Sequence, residues 1–491
     1  MSLNRMNQDQ LPIVNALVDF SGRNPAYFRI PAHRFAGGVN PRLLDAFGEG
    51  VFRCDLSEAE GLDDLHQARG VIKQAQELAA DLWGAKRTFF LVNGTTCGNE
   101  AMVISMTSPG DKVIIPRNAH KSLLMGMIMS GADPCYVMPE FDDAWNVWGS
   151  VDALGIKHLL EGEASGCKSV FLVSPTYYGV LSDLKSISKV CHDHGALLCV
   201  DEAHGSHLYF SDKLPKGALR QDVDMCAQSI HKTAGSMTQS SLLQINSDRV
   251  EQHQVMKALQ MVQSTSPSYI LMASLDAARQ ELALHGEEMI EKALELADTA
   301  RHQIHSIPGI SVLQKDENNS AVYDLDPLRL VFSARKLHIS GYRMQQLLYE
   351  DSGVSTELAD EDNVVCVITF GNTKEDIDRL VHGIRRIAKE TKYQQEYKRD
   401  DQERFSMKLP KKVLTPRDAY FHKKETVRWQ DARGRISGEM IVPYPPGIPL
   451  IYPGELIDDE IFDQIDDYRR KGLSIHGPAD TKLSNLQIIT F

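Results

Sequence analysis

The sequence predicts an α/β protein, with a large domain on a mainly parallel sheet and smaller α+β units after it. Three observations lead there. Between about residues 67 and 245, short continuous apolar segments alternate with helix-like ones, as parallel strands covered on both faces by crossover helices do. Near residues 311–390, after three long helical segments, the pattern changes to short strands and helices. A chain of 491 residues is also more than one hydrophobic core organises. The expected division is an N-terminal segment (1–60), a large domain (61–310), a small α+β domain (311–391), a charged linker (392–410) and a C-terminal domain (411–491).

Taken in order, residues 67–83 read as a helix with Val71, Ala75, Leu78, Ala79 and Leu82 on one face, stopped by Gly84. Apolar strands are expected at 88–92, 112–116, 135–138, 169–173, 197–201, 225–229 and 241–245. Helices are expected at 98–106, 120–129 and 184–194, then at 250–262, 270–284 and 287–307. Residues 392–408 are strongly charged and read as a linker or exposed helix end. The prolines of residues 442–455, "VPYPPGIPLIYPGE", exclude a regular helix or a central strand there.

Hydrophobic content of 42% with 24% charged residues is that of an ordinary globular chain. A net charge of −13 argues against nucleic acid or an anionic membrane as main partner, and is compatible with a cationic substrate. No long apolar run suggests a membrane span, and the polar N-terminus does not read as a signal peptide. The eight cysteines form no Cys-x-x-Cys pair and several lie in apolar segments, which points to free thiols in a reducing cytoplasm.

In sheets of this kind ligands bind beyond the carboxyl ends of the strands, and the informative motifs fall there. The segment Ser229-Ile230-His231-Lys232 follows an apolar strand and leads into Ala234-Gly235-Ser236. This layout suits a lysine that bonds an aldehyde, with Ser229 and His231 beside it as phosphate ligands. Asn93-Gly94-Thr95-Thr96-Cys97-Gly98 precedes a helix and has the glycine, hydroxyls and helix start of a phosphate cradle. An N-capped helix is the plain alternative.

His120 opens a helix beyond another strand and could lie against an aromatic ring, or simply cap the helix. In Val200-Asp201-Glu202-Ala203-His204, an acid ends an apolar strand, a costly place unless it is paired. A pyridinium N–H would pair Asp201, small Ala203 would admit a ring, and His204 could cover it. A metal site of Asp201, His204 and His207 is the weaker alternative, since no other ligand cluster accompanies it. Phosphate cup, pyridinium acid and Schiff-base lysine, in that order, are the anchors pyridoxal phosphate (PLP) needs.

The chain further resembles the fold-type I PLP-dependent ornithine/lysine/arginine decarboxylases over nearly its full length. The likeness rests on "FFLVNGTT", "IIPRNAHKS", "SPTYYGVLSDL", "VDEAHGSH", "SIHKTAGSMTQSS", "STSPSY", "TPRDA" and "GRISGEMIVPYPPGIPLIYPGE". It is to the short bacterial, arginine-type members, without the N-terminal wing domain of longer ones. The resemblance implies an aspartate aminotransferase-like large domain, with Lys232 as Schiff-base lysine, Asp201 at the ring nitrogen and His120 stacked on the ring. It implies phosphate contacts from Thr95, Thr96, Ser229 and His231. Ser264 would reach the phosphate of a neighbouring subunit, so a homodimer or larger homo-oligomer is expected.

The implied reaction is α-decarboxylation of a basic amino acid, with arginine going to agmatine and CO2 in polyamine biosynthesis. Lysine or ornithine follow as substrates. An aminotransferase and a catalytically silent binding paralogue are the other readings. Glu455 and Asp418 are the candidates for the substrate's distal cation, with a structural loop acid as the alternative for each. Two departures stand out: Pro31-Ala32-His33-Arg34 where the family has Pro-Gly-His-Lys, and "CGNE" after the phosphate loop. Neither is expected to touch the Schiff-base chemistry, while the first bears on substrate identity.

Overall fold

The computed structural model describes residues 6–390, 409–444, 448–470 and 474–491. The expected linker lies outside these residues, apart from its last two. The chain divides into two compact units, Met1–Met106 with Leu197–Met289, and Thr107–Ala196 with Ile290–Phe491.

The first unit holds four strands in the order Arg87–Leu91, Ser241–Ile245, Met225–Gln228, Leu197–Asp201. Cys199 pairs with Met225 and Asp201 with Ala227 in parallel register. The 241–245 strand is antiparallel to both of its neighbours, with Leu91 opposite Ser241 and Leu242 opposite Gln228. Antiparallel pairing follows from the connection. Residues 229–240 turn back through one short helical turn, Ile230–Thr233, whereas a parallel pair needs a long crossover. This register brings Leu91, Asp201, Gln228 and Ser241 to one end of the strands.

Over that end begins the helix Gly94–Met106, four residues earlier than expected. The glycines that read as loop serve other purposes. Gly94 takes a left-handed φ of +72°, and a Cβ on Gly98 would come within 2.8 Å of Leu91 and 3.1 Å of Ala227. Glycine at 98 thus lets the helix lie directly on the strands.

A second difference concerns the helices expected at 270–284 and 287–307, which form one helix, Tyr269–His305. Gly286 weakens a helix by only about 1 kcal/mol relative to alanine, and its bare Cα accommodates Phe210, whose ring would stand 3.0 Å from an added Cβ.

In the second unit, Lys112–Pro116 lies between Asp133–Val137 and Ser169–Val173, parallel to both. A four-stranded antiparallel sheet follows, ordered Ser311–Val312, Arg329–Ser333, Val364–Val367, Leu358–Ala359. The amphipathic helix Lys374–Lys389 ends this stretch, opened by a Thr373/Asp376 capping box. The C-terminal residues have their own apolar cluster around Trp429, Ile441, Ile451, Ile461 and Ile488, with Trp429 stacked on Phe462 at 4.6 Å. All eight cysteines are free. Among the described residues no helix is long and apolar enough to cross a membrane.

Candidate active site

The two parallel strands 197–201 and 225–228 end side by side, so Asp201 and Ser229 leave the sheet as neighbours. Ser229 N-caps the helical turn Ile230–Thr233 that carries Lys232. Its hydroxyl lies 2.6 Å from that of Thr95 in the first turn of the Gly94–Met106 helix. Thr95 also donates to the Ser241 hydroxyl at 3.1 Å. A helix N-terminus with clustered hydroxyls favours an anion through both dipole and hydrogen bonds.

One helical turn after Thr95, Asn99 donates its amide to Oδ2 of Asp201 at 2.7 Å, and the Ala203 N–H donates to Oδ1 at 3.1 Å. Three residues beyond Asp201, buried His204 places Nε2 3.1 Å from the Lys232 Nζ. A proton can pass between this amine and imidazole. His231 hydrogen-bonds through Nδ1 to the Ser240 carbonyl at 2.8 Å. That nitrogen must carry the hydrogen, which leaves Nε2 for a ligand. Burial, and to a lesser degree the nearby Lys232, pulls its pKa below the ordinary histidine value.

The first unit thus joins Thr95 to Ser229, Asn99 to Asp201 and His204 to Lys232. Thr96 is exposed on the first helical turn. Ser264 is exposed too, its hydroxyl accepting from the Ser266 N–H at 3.0 Å and its carbonyl meeting His66 Nε2 at 2.9 Å. Oxygens of Asp201 that meet Asn99 and Ala203, and His204 directed to Lys232, describe an amine site. Among the described residues no group of three His, Cys, Asp or Glu side chains is arranged to hold a metal.

His120 belongs to the second unit. It N-caps the helix Lys121–Ser130, accepting from the Ser122 N–H at 3.3 Å, and its ring is exposed. Glu455 and Asp418 lie in the same unit, and neither is placed as a substrate acid. Glu455 is 1% exposed and accepts both arms of the Arg117 guanidinium at 2.7 and 2.8 Å, as well as the Tyr452 N–H. A carboxylate so satisfied has little left for a ligand cation. Asp418 accepts the Thr415 hydroxyl at 2.7 Å in the first turn of Pro416–Phe421, where its charge suits the helix dipole.

Sequence reasoning missed three residues. Asn99 belongs to the "CGNE" departure, yet it holds Asp201, so that departure does bear on the site. The available signal was its spacing of four from Thr95 on one helix face. Arg117 was passed over as a strand-end residue. Glu202 is fully buried, accepting from Tyr209, the Ala218 N–H and Gln228 at 2.7 Å each. Burial raises its pKa to about 7 against these hydrogen bonds. The other departure, Arg34, turns back on its own segment, to the Arg29 carbonyl and towards the Tyr27 ring.

Over 98% of the chain, the structure superposes on the lysine decarboxylase of Francisella novicida with a TM-score of 0.83 at 21% identity, covering 81% of that protein. The fold is therefore fold type I, the large-domain architecture of PLP-dependent enzymes. Residues 11–376 match the Orn/Lys/Arg decarboxylase major domain and residues 399–470 the C-terminal domain of the same family. The chain belongs to the Orn/Lys/Arg decarboxylase family. It is 38% identical to the arginine decarboxylase of Bacillus subtilis, covering 99% of each chain, and 37% identical to that of Halalkalibacterium halodurans, covering 98% of each.

Proposed function

We propose that the protein is a PLP-dependent α-decarboxylase whose substrate is arginine, giving agmatine and CO2 for polyamine synthesis. The observation that carries this reading is the set of three pairings in one unit: Thr95 with Ser229, Asn99 with Asp201, and His204 with Lys232. They fit the cofactor's three handles of phosphate, ring nitrogen and aldehyde. Bound PLP supplies the electron sink that makes loss of CO2 feasible.

The protein's own residues orient and exchange protons. Thr95, Thr96 and Ser229 offer hydroxyls to the phosphate at the helix start Gly94. His231 offers Nε2, and takes up a proton to donate there. Asp201, buried and held by Asn99, would keep the ring nitrogen protonated; Ala203 would leave room for the ring and His204 would border it. Lys232 would provide the amine for the aldehyde, and Lys232 or His204 would hold the proton for the substrate Cα. His120 would face the ring, as the resemblance implies. Ser264, exposed in a single chain, would reach the phosphate of a second copy, which makes a homodimer or larger assembly part of this reading.

Arginine is favoured by the full-length relatives named arginine decarboxylase; lysine and ornithine follow. Free cysteines and acidic composition suit a cytoplasmic enzyme. Purified protein with PLP should show a visible cofactor band and release CO2 from arginine faster than from lysine or ornithine. Lys232→Ala should lose both band and turnover. Robust turnover in that variant, or a keto-acid product without CO2, would overturn the reading.

A further inference from the structure

Arg117 is the first residue after the 112–116 strand, and its backbone continues the ladder by donating to the Val137 carbonyl at 3.0 Å. Its side chain has no solvent exposure. Every arm of the guanidinium is used: Nε donates to the Pro449 carbonyl at 3.0 Å, Nη2 to the Leu450 carbonyl at 2.8 Å, and Nη1 and Nη2 to the two oxygens of Glu455. Tyr452 and Tyr136 flank it with ring centres 4.3 and 4.9 Å from Cζ.

All but Tyr136 of these partners come from residues 449–455, part of the proline-rich block. A second tie runs alongside, since Lys412 reaches Asp133 and the Pro134 carbonyl on the adjoining strand. Neither tie was read from the sequence, because the partners are more than 270 positions apart.

Just two residues separate Arg117 from His120. Between them the chain makes one tight turn, in which the Ala119 N–H donates to the Pro116 carbonyl at 3.0 Å. Ala119 is 1% exposed, so this turn has no slack. His120 then caps the next helix. Fixing Arg117 therefore fixes where the exposed His120 ring emerges.

We propose that the 449–455 loop is a positioning element for His120, with Arg117 and Glu455 as positioning residues that hold its ring for the cofactor face. This rests on the PLP reading above. An apolar pair of similar volume often stabilises as well as a buried ion pair, while a five-donor planar fork fixes orientation as no apolar contact does. Direction is what a stacking residue requires.

The test compares wild type, the double variant Arg117→Met/Glu455→Met, His120→Ala and the triple variant. Thermal melting of the cofactor-free protein, PLP affinity and circular dichroism of the bound cofactor are read for each. The double variant should melt below wild type, because the Pro449 and Leu450 carbonyls and the Tyr452 N–H lose these partners, and should bind PLP roughly tenfold more weakly, the worth of a lost aromatic stack, with reduced dichroism. Adding His120→Ala to it should cost nothing further.

The proposal is overturned if the double variant keeps wild-type affinity and dichroism, or if its loss and that of His120→Ala multiply in full. Should the double variant not fold, Arg117→Lys keeps the charge without the fork. A loss of PLP affinity that His120→Ala does not deepen supports the proposal, and unchanged affinity overturns it. Absence of any cofactor band in wild type instead overturns the PLP reading itself.

Discussion

Replacing Glu202 by glutamine should flatten the pH dependence of stability. The residue is 1% exposed and follows Asp201 at the end of the 197–201 strand. Neighbouring residues there point to opposite sides, so Glu202 turns to Tyr209, the Ala218 N–H and Gln228, and Gln228 accepts in turn from Gln244. These donors are all neutral, and burial raises the carboxyl from its ordinary 4.5 to about 7. Between those two pH values the folded state binds a proton that the unfolded chain has released. The contribution is complete below the unfolded value and is lost as pH rises through about 7.

Each tenfold difference in proton affinity between the folded and unfolded states is worth ~1.4 kcal/mol, so the loss is roughly 3 kcal/mol. Glu202→Gln cannot titrate, so it carries a constant offset and no such slope. Urea unfolding of the cofactor-free protein at several values between about pH 5 and 8 measures the difference. The two stability curves should diverge across the window by roughly 3 kcal/mol. Parallel curves would refute the reasoning and mean that Glu202 stays ionised, its donors outweighing burial.

Asn99→Ala should leave the fold intact and weaken PLP binding, since it removes a hydrogen bond to a buried carboxylate worth about 2 kcal/mol; equilibrium titration of the visible band measures this. Gly149→Ala should destabilise the second unit by roughly 3 kcal/mol. Its Cβ would sit 1.9 Å from the Ala321 carbonyl, which is already held by the Ser150 N–H at 2.8 Å. A lower melting temperature without change in PLP affinity is the expected signature.

Strand positions were legible in the sequence to within a residue or two, because each is a short apolar run buried along its length. Helix boundaries were less so where glycine was involved. Gly94 and Gly286 read as breaks and Gly98 as the start of a helix, yet all three lie in helices. Close packing against Leu91, Ala227 and Phe210 makes glycine the fitting residue at the latter two. Local propensity carries no information about such neighbours.

The site shows the same division. Lys232 and Asp201 stand out in the sequence as candidates because a charge ending an apolar strand is conspicuous in one dimension. Asn99 was not, since its partner lies 102 residues away. Glu455 kept two readings open, substrate acid or structural loop acid, because its partner lies 338 residues away: an acid in a proline-rich loop looks available until the buried guanidinium is seen.

Three buried carboxylates compared side by side sharpen the case for Asp201. Glu455 is neutralised by a guanidinium through two hydrogen bonds. Glu202 has only neutral donors, and its burial is relieved by holding a proton up to about pH 7. Asp201 is 4% exposed and receives two neutral donors, one on each oxygen. Amide donors support a carboxylate without cancelling its charge. The negative potential left at the strand ends is what a protonated ring nitrogen would meet. A buried acid that the protein hydrogen-bonds but does not neutralise is costly to hold, and a cationic ligand offsets that cost. Of the three, Asp201 is the acid whose surroundings are best explained by a bound cofactor.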